Sequence, residues 1–349
     1  MSARESMAFL LGTVMYSLVI ARLILQFAPR LDLLDLPSSR SSHSIPTPRG
    51  GGLAIVVAFF TAAMLLRLAG VLTDRLLSAV LWGGGPIAAV GFIDDRKTLP
   101  AGIRLFVHVG AALIVTALIG IPTRFVASVV GYYIWSIRLA SVIAIVWATN
   151  LFNFMDGIDG IASIEAIYIG CTLSGFNVYL GGSPELTMTM LSLAFATVGF
   201  LVWNWPPARI FMGDVGSGFL GFILATFVLA MSRDHVVVIP IAMILSGVFI
   251  VDASVTLIRR VVRGDRWLDA HRTHAYQHLA GRWGAHQPVT IFVGAINCFW
   301  LLPWGCAAAA FPNYAALCMV AALLPLTVMC IRIGAGTPRA MQVDSRSDG

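Results

Sequence analysis

The chain is divided into apolar blocks of about 20 residues, and this feature limits its fold more than any other. The hydrocarbon core of a bilayer is about 30 Å thick, so a helix needs about 20 apolar residues to cross it. With 58% hydrophobic and only 11% charged residues, the composition excludes a soluble two-domain enzyme. We therefore predict an all-α polytopic membrane protein with functional loops at one face.

Hydropathy predicts eleven membrane spans and one domain over residues 1–333. The residues that follow, 334–349, are rich in Gly, Ser and charge and are predicted to form a flexible tail. Residues 122–138 are rich in β-branched and aromatic side chains, which favours a short hairpin. The predicted spans are 7–28, 50–70, 76–93, 104–121, 139–155, 161–181, 186–204, 217–231, 236–258, 288–310 and 314–332.

The distribution of basic residues predicts the orientation of the chain. If the N-terminus lies outside, 16 of the 23 Lys and Arg residues fall in cytoplasmic loops and the tail, and 6 fall outside. Cytoplasmic loops of membrane proteins carry the excess of Lys and Arg. We therefore predict that the even-numbered loops and the N-terminus are external. The net charge of +6 is then accounted for by membrane-flanking arginines, and no nucleic-acid partner is expected.

Five aspartates lie at the predicted cytoplasmic ends of the spans, namely Asp94, Asp95, Asp156, Asp159 and Asp214. Carboxylates beside arginines suit a hard divalent cation that also holds phosphates, because Mg²⁺ takes oxygen ligands from one or two carboxylates and from its substrate. The sequence therefore predicts a phosphate-handling metal site at this face.

Each acidic motif also has an ordinary structural interpretation. Asp214 follows one glycine and precedes another, where a helix N-terminus can bind an anion, but an aspartate there can simply cap the helix. Asp94 and Asp95 can mark a solvated loop start. Asn150 and Asn153 share the three-residue spacing of the aspartates that follow them, which favours one helical face, but they can also bond neighbouring helices.

Five motifs in order resemble the polyprenyl-phosphate N-acetylhexosamine-1-phosphate transferases, which include the phospho-N-acetylmuramoyl-pentapeptide transferases. They are Pro-Arg-Gly-Gly-Gly at 48–52, Gly-Phe-Ile-Asp-Asp at 91–95, the run 150–160, Phe-Met-Gly-Asp-Val-Gly-Ser at 211–217 and the His-rich loop 271–278. The stretch 41–50 looks most like the subgroup that initiates bacterial O-antigen or capsule chains. The resemblance covers most of the chain.

The resemblance implies a Mg²⁺-dependent transferase, with Mn²⁺ as an alternative ion, in the bacterial inner membrane with its active site facing the cytoplasm. An N-acetylated sugar 1-phosphate would pass from a UDP-sugar to undecaprenyl phosphate. It implies Asp214 as the principal metal ligand with Asp95 beside the metal, Asp94 at the lipid phosphate, and Asp156 and Asp159 at nucleotide and metal-bound phosphates. Phosphoryl transfer needs mainly positioning and charge neutralisation, so no covalent residue is required.

Four further residues complete the expected substrate site. The loop 271–278 resembles the family segment Asp-Arg-x-His-x-His-His, to which Arg272 and His274 correspond, with His271 in place of the Asp. Zinc is the competing interpretation of this loop, but structural zinc usually takes four ligands and no Cys is near. His43 and Arg49 lie in a Pro- and Gly-rich stretch that could contact a phosphate or remain an exposed loop.

A secondary transporter or lipid carrier is the alternative class, since it also has many spans and buried acids. Transporters place coupling ions near the bilayer midplane on broken helices, whereas the acids here lie at helix ends. The enzyme interpretation is therefore preferred. The residues leave the sugar open among N-acetylglucosamine, N-acetylgalactosamine, N-acetylfucosamine and N-acetylquinovosamine. The family resemblance suggests a homodimer among membrane lipids.

Overall fold

The computed structural model of the protein describes residues 1–31, 33–35, 46–122, 132–265 and 271–338. The described chain is almost entirely helical, which confirms the predicted all-α membrane class. Its only regular strands, β1 (Leu34–Asp35) and β2 (Thr47–Pro48), form one short antiparallel pair within the described residues. The helices are α1 (Ala3–Phe27), α2 (Leu53–Leu68), α3 (Asp74–Arg96), α4 (Ala101–Ile119), α5 (Tyr132–Met155), α6 (Ile161–Tyr179), α7 (Pro184–Asn204), α8 (Asp214–Ser232), α9 (Val238–Leu245), α10 (Gly247–Val262), α11 (Ala275–Trp283), α12 (Gln287–Ile296), α13 (Leu302–Ala310) and α14 (Ala315–Ile333).

Nine helical segments in the described chain are long and apolar enough to cross a membrane. Helices α12 and α13 form one of these segments, joined by a π-helical turn at Asn297–Leu301. Helix α2 occupies the second predicted span but has only 16 residues. The predicted count of eleven spans is therefore not confirmed, although each predicted span coincides with a helix or a helix pair.

The predicted span 236–258 is not one continuous helix, because it is divided into α9 and α10, which meet at an angle of 74°. The break lies at Ser246 and Gly247, a residue pair at which helices commonly kink. Counted as one crossing, this bent pair would be a tenth span. Helix α10 contacts α11.

Local sequence sets several helix starts. Ser2 and Glu5 form a capping box at the start of α1, where each side chain accepts from the other residue's backbone N–H. Ser183 caps α7 with its hydroxyl oxygen, and Pro184 occupies the first helical position. These devices satisfy N–H groups that have no partner inside the helix.

Helix α8 is the centre of the bundle. Of the 18 residues of α8 that could cross a membrane, 89% are buried. Its Phe219 meets Phe59 and Phe60 of α2 edge-on, with ring centroids 5.9 and 5.4 Å apart, and its Phe227 also meets Phe59. Such aromatic pairs contribute about 0.5–1.5 kcal/mol each beyond area burial. The N-terminus of α8, which begins with Asp214, is thereby held at the middle of one end of the bundle.

Two predictions about connecting segments need correction. The hairpin expected within 122–138 falls partly on residues outside the described ranges, but residues 132–138 are helical and belong to α5. Residues 334–338, assigned from sequence to a flexible tail, are packed, and Ala335 is fully buried. Residues 339–349 lie outside the described chain. The division into one domain plus a tail and the homodimer remain predictions.

Candidate active site

A cavity of about 570 Å³ lies at the end of the bundle where α8 begins and α3 and α5 end. Polar groups from distant parts of the chain line it. The acids are Asp35, Asp95, Asp156, Asp159 and Asp214, the basic groups are Arg49, His271 and Arg272, and the amides are Asn153, Asn204 and Gln277. Apart from His43, which lies outside the described residues, and Asp94, Asn150 and His274, all the predicted site residues line this cavity.

Asp95 joins the end of α3 to the start of α8. Its carboxylate oxygens accept hydrogen bonds from the backbone N–H groups of Asp214 at 3.0 Å and Val215 at 3.1 Å. Gly213 makes this contact possible with φ +75, a left-handed conformation, and a Cβ there would overlap the Asp95 carboxylate. Asp95 thus serves as the cap of α8 and at the same time presents its carboxyl group to the cavity.

Arg104 on α4 bridges two of the predicted acids. Its Nη1 donates to Asp94 at 2.8 Å and to Asp214 at 3.1 Å, and the Leu99 N–H donates to Asp94 at 2.5 Å. Asp94 is 8% exposed and does not line the cavity. Arg104 was not among the residues predicted from the sequence, although an arginine near the start of an apolar span was a usable signal.

The run 150–160 leaves the helix earlier than its spacing predicted, because α5 ends at Met155. Asn150 donates to the Val146 carbonyl and lines a narrow cleft of about 40 Å³ beside the cavity. Asn153 donates to the Ser217 hydroxyl at 3.2 Å and, with Asp214, lines both spaces. The two asparagines therefore lie at the boundary between cavity and cleft.

Asp156 is the cavity acid with the most unfavourable surroundings for a negative charge. Burial raises the pKa of its carboxyl well above the usual range, and the charges of Asp214, Asp95 and Asp159 raise that pKa further. A divalent cation would relieve this repulsion. The arrangement is typical of a binding site rather than of a purely structural cluster.

Asp159 is held from three sides. Its Oδ2 accepts from the Ala208 N–H at 3.0 Å and lies 3.2 Å from His286 Nδ1. The Thr290 hydroxyl donates to the Asp159 carbonyl at 2.8 Å. His286 and Thr290 both belong to the start of α12, and sequence reasoning missed them because neither lies in a recognisable motif.

The Pro- and Gly-rich stretch places Arg49 in the cavity wall. Phe211 N–H donates to the Pro48 carbonyl at 2.8 Å, and Gly51 N–H donates back to the Phe211 carbonyl at 2.9 Å. These bonds tie the stretch to the segment before α8. Arg49 Nε is buried and has no hydrogen-bond partner among the described residues, so Arg49 is available to an anionic ligand in the cavity.

The His-rich loop contributes His271, Arg272 and Gln277 to the cavity, but His274 does not line it. The buried His274 ring stacks on those of His271 and Tyr276, with centroids 4.9 and 5.5 Å away. Its Nδ1 lies 3.3 Å from the Asp252 carboxylate.

Asp252 of α10 also accepts hydrogen bonds from the N–H groups of Ala275 and Tyr276, at 2.8 and 3.0 Å. A carboxylate inside the bundle therefore caps α11 and supports the loop from beneath.

The carboxylate oxygens of the cavity suit a hard cation that binds together with a phosphate-bearing ligand. Within the described ranges, no three His, Cys, Asp or Glu side chains are arranged as a ready metal cage. Mg²⁺ commonly takes only one or two protein carboxylates and completes its octahedron with phosphate oxygens and water. Asp214 and Asp95, beside the unpartnered Arg49 Nε, fit that pattern.

The fold and the cavity together define a polytopic membrane protein with an acid-lined site at one end of its helix bundle. Residues 76–232 match glycosyl transferase family 4. This range contains all five aspartates of the motifs but not the loop 271–278.

Curated relatives extend the similarity over most of the chain. A probable undecaprenyl-phosphate N-acetylglucosaminyl 1-phosphate transferase of Bacillus subtilis is 28% identical over 80% of this chain and 78% of its own length. A decaprenyl-phosphate N-acetylglucosaminephosphotransferase of Mycobacterium tuberculosis is 30% identical over 76% of this chain and 73% of its own. A phospho-N-acetylmuramoyl-pentapeptide-transferase of Chloroherpeton thalassium is 28% identical over 63% and 66%.

The chain belongs to glycosyl transferase family 4, the polyprenyl-phosphate sugar-1-phosphate transferases. It is therefore a membrane-embedded transferase, and the predicted family is confirmed.

Proposed function

We propose that this protein transfers an N-acetylhexosamine 1-phosphate from a UDP-sugar to undecaprenyl phosphate at the cytoplasmic face of a bacterial inner membrane. An oxygen of the lipid phosphate attacks the β-phosphorus of the UDP-sugar. The bond from that phosphorus to the oxygen bridging the two phosphates breaks, and UMP leaves with that oxygen. The product is a polyprenyl-diphospho-sugar.

One observation carries this proposal, namely that four of the five motif aspartates converge with Arg49 and Arg272 on one cavity. The four are Asp95, Asp156, Asp159 and Asp214. Such a site can hold a diphosphate through arginines and a cation. The two relatives named for polyprenyl-phosphate N-acetylglucosamine transfer align over three quarters or more of the chain. A transporter interpretation has no comparable support.

The surroundings of each residue suggest its role in the reaction. Arg49, with its unpartnered Nε, and Arg272 would bind the diphosphate of the donor. Asp94 is paired with Arg104 and turned from the cavity, so it would orient the acceptor side rather than take a proton. A phosphate monoester is largely ionised at neutral pH, since its second pKa is about 6, and its oxygen needs no strong base.

Asp214 and Asp95 would hold Mg²⁺, for which Mn²⁺ could substitute, with phosphate oxygens of the donor. When bound, such an ion neutralises charge that develops on the phosphates. Asp156 and Asp159 would complete the acidic wall, and the raised pKa of Asp156 is consistent with a carboxylate that ionises when a cation is present.

Within this reaction, we assign the protein to the initiation of a cell-surface polysaccharide such as an O-antigen. The support is the sequence of residues 41–50 and the departure of the His-rich loop from the family pattern at His271 and Tyr276. The departures in the loop fall in the segment that resembles the family's nucleotide-sugar recognition segment. They favour an N-acetylated sugar other than the commonest donor.

The test is UMP release by purified protein in detergent with undecaprenyl phosphate, Mg²⁺ and a panel of UDP-N-acetylhexosamines. We expect UMP from one donor only when lipid and metal are both present, and none after EDTA treatment. Folded protein that releases no UMP from any UDP-sugar would contradict the proposed reaction. An Asp265→Ala variant is the matched control, because Asp265 is a partly exposed acid that pairs with Arg263 and Arg260 outside the cavity.

A further inference from the structure

The residues that follow α14 contact the loop that carries Arg272. We call residues 334–338 the C-terminal segment and residues 271–274 the arginine loop. The Gly336 N–H donates to the Thr273 carbonyl at 2.7 Å. The Thr337 carbonyl lies 3.1 Å from His278 Nε2, and because a carbonyl only accepts, His278 must carry its proton on that nitrogen.

Arginines from two helices hold the C-terminal segment and the residue just before it. Arg259 of α10 donates through Nη1 to the Ala335 carbonyl at 2.8 Å. Arg282 of α11 donates through Nη2 to the carbonyl of Ile333, the last residue of α14, at 2.8 Å. Hydrogen bonds from charged donors are stronger than neutral ones. With Ala335 fully buried, the segment is a packed element with several anchors.

Gly336 sits at the tightest point of this contact. Its φ of +76 is left-handed, and an added Cβ would lie 2.8 Å from the Arg259 Cβ and 3.0 Å from the Thr256 carbonyl oxygen. Only glycine satisfies both conditions. The segment therefore packs most closely against α10 at Gly336, the residue whose N–H bonds the arginine loop.

The hydrogen bond from Gly336 acts one residue away from Arg272, whose side chain lines the cavity. Thr273, which receives that bond, also places its hydroxyl 3.1 Å from Nδ1 of His271, another cavity residue. Asp252 of α10 also contacts this loop, at 3.3 Å from His274 Nδ1, so the C-terminal segment provides a second support. An ordered loop binds its ligand without first losing conformational freedom.

We infer that the C-terminal segment is a positioning element that holds Arg272 and His271 for the donor, so that it sets the affinity for the nucleotide-sugar. The link to a nucleotide-sugar rests on the proposed function. The residues of the segment do not line the cavity. Their effect passes through the backbone of Thr273.

The experiment compares Gly336→Ala with Gly334→Ala in the full-length protein in detergent. Gly334 is also left-handed, with φ +101, but an added Cβ there meets only Thr337 Oγ1 at 3.1 Å and no atom of α10 or the loop. Both variants are therefore strained, and only Gly336→Ala displaces the bond to Thr273. An Arg282→Gln variant gives a second test, because this exposed side chain can be changed without a packing defect.

Two readouts are measured, hydrogen–deuterium exchange of peptides covering residues 271–278, and the KM and kcat of UMP release. For Gly336→Ala and Arg282→Gln we expect about fivefold faster exchange and about a fivefold higher KM for the UDP-sugar, the factor for one lost hydrogen bond. The kcat should change less than about twofold if donor positioning alone is affected. Gly334→Ala should match the wild type in both readouts.

Unchanged exchange in both test variants would overturn the inference, as would faster exchange accompanied by a lower kcat and a constant KM. Equal effects of Gly336→Ala and Gly334→Ala would also overturn it, because they would indicate general loosening of the chain end. If wild-type protein releases no UMP from any UDP-sugar, the proposed function fails by itself. The exchange data then still decide whether the segment orders the loop.

Discussion

The Asp95 carboxylate accepts the backbone N–H of Asp214 at 3.0 Å, across a separation of 119 residues along the chain. A second bond, from Val215 N–H, makes the Asp95 carboxylate the cap of α8. The negative charge also complements the positive end of the helix dipole. The residue predicted to lie beside a metal therefore also fixes the position of the residue predicted to bind that metal.

Replacing Asp95 should lower both stability and activity. Asp95→Ala removes both cap bonds and should cost about 2 kcal/mol, whereas Asp95→Asn keeps one acceptor oxygen and should cost about 1 kcal/mol. Thermal unfolding of the purified protein in detergent measures the difference. Equal melting temperatures for Asp95→Ala and wild type would contradict the capping role.

Replacing Asp214 should abolish turnover without preventing membrane insertion. Its side chain lines the cavity and forms an ion pair with Arg104 within the described chain, so Asp214→Ala should retain the fold. We expect UMP release to fall at least about 100-fold, the scale for losing a charged group that acts at the reacting phosphates. Near-normal turnover in Asp214→Ala would rule out the metal assignment, and Asp265→Ala should keep full activity.

Replacing Asp156 should stabilise the metal-free protein at neutral pH. Because the folded-state pKa of Asp156 is raised, ionising it favours unfolding, and stability is lost as pH rises from about 3.9, the unfolded value, through the raised value. Asp156→Asn should therefore melt a few degrees higher than wild type at pH 7 and equally near pH 4, while turnover is lost. Mg²⁺ should stabilise wild type more than this variant. A lower melting temperature for Asp156→Asn at pH 7 would contradict this account.

Replacing Arg104 should uncouple Asp94 from Asp214. Arg104→Met leaves both carboxylates without their shared cation and should cost about 1–2 kcal/mol, less than for a fully buried pair because the Arg104 side chain is 35% exposed. Arg104→Lys should recover part of this loss, since an ammonium can pair with one carboxylate. We expect the melting temperature to be highest for the wild type, lower for Arg104→Lys and lowest for Arg104→Met. An Arg104→Met variant as stable as the wild type would refute this expectation.

Replacing His286 should impair turnover by loosening Asp159. His286→Phe keeps a ring but removes the Nδ1 group 3.2 Å from Asp159 Oδ2, and the Ala208 N–H remains as the side-chain partner. We expect kcat/KM to fall about tenfold, the effect of a poorly held functional carboxylate. His235→Phe is the control, since His235 lies at the other end of α8. A His286→Phe variant with wild-type kinetics would show that the contact has no role.

The sequence predicted the location of the site better than the contacts within it. Asp95, Asp156, Asp159 and Asp214 do converge on one cavity, because each follows or precedes a helix end that packs beside the others. The regular spacing from Asn150 to Asp159 suggested one helical face, but Gly157 and Gly160 follow a helix that has already ended at Met155. Spacing alone does not show where a helix stops.

His274 and Arg104 show the other limit of sequence reasoning. His274 matches the family motif, yet it is buried against Asp252 and supports α11 rather than lining the cavity. Arg104 matches no motif considered, yet it donates to Asp214 across 110 residues. A motif preserves residue types along the chain, whereas a hydrogen bond depends on the packing of helices that are distant in sequence.

The sequence by itself determined that this protein is a helical membrane transferase and that its acids gather at helix ends, since hydropathy and motif spacing are local properties of the chain. Only the tertiary structure decided that Asp95 caps α8, that Arg104 joins Asp94 to Asp214, and that residues 334–338 hold the arginine loop. Each of these contacts joins segments brought together by helix packing in the bundle. Their distances are set by how the helices fit against one another, which local patterns do not encode.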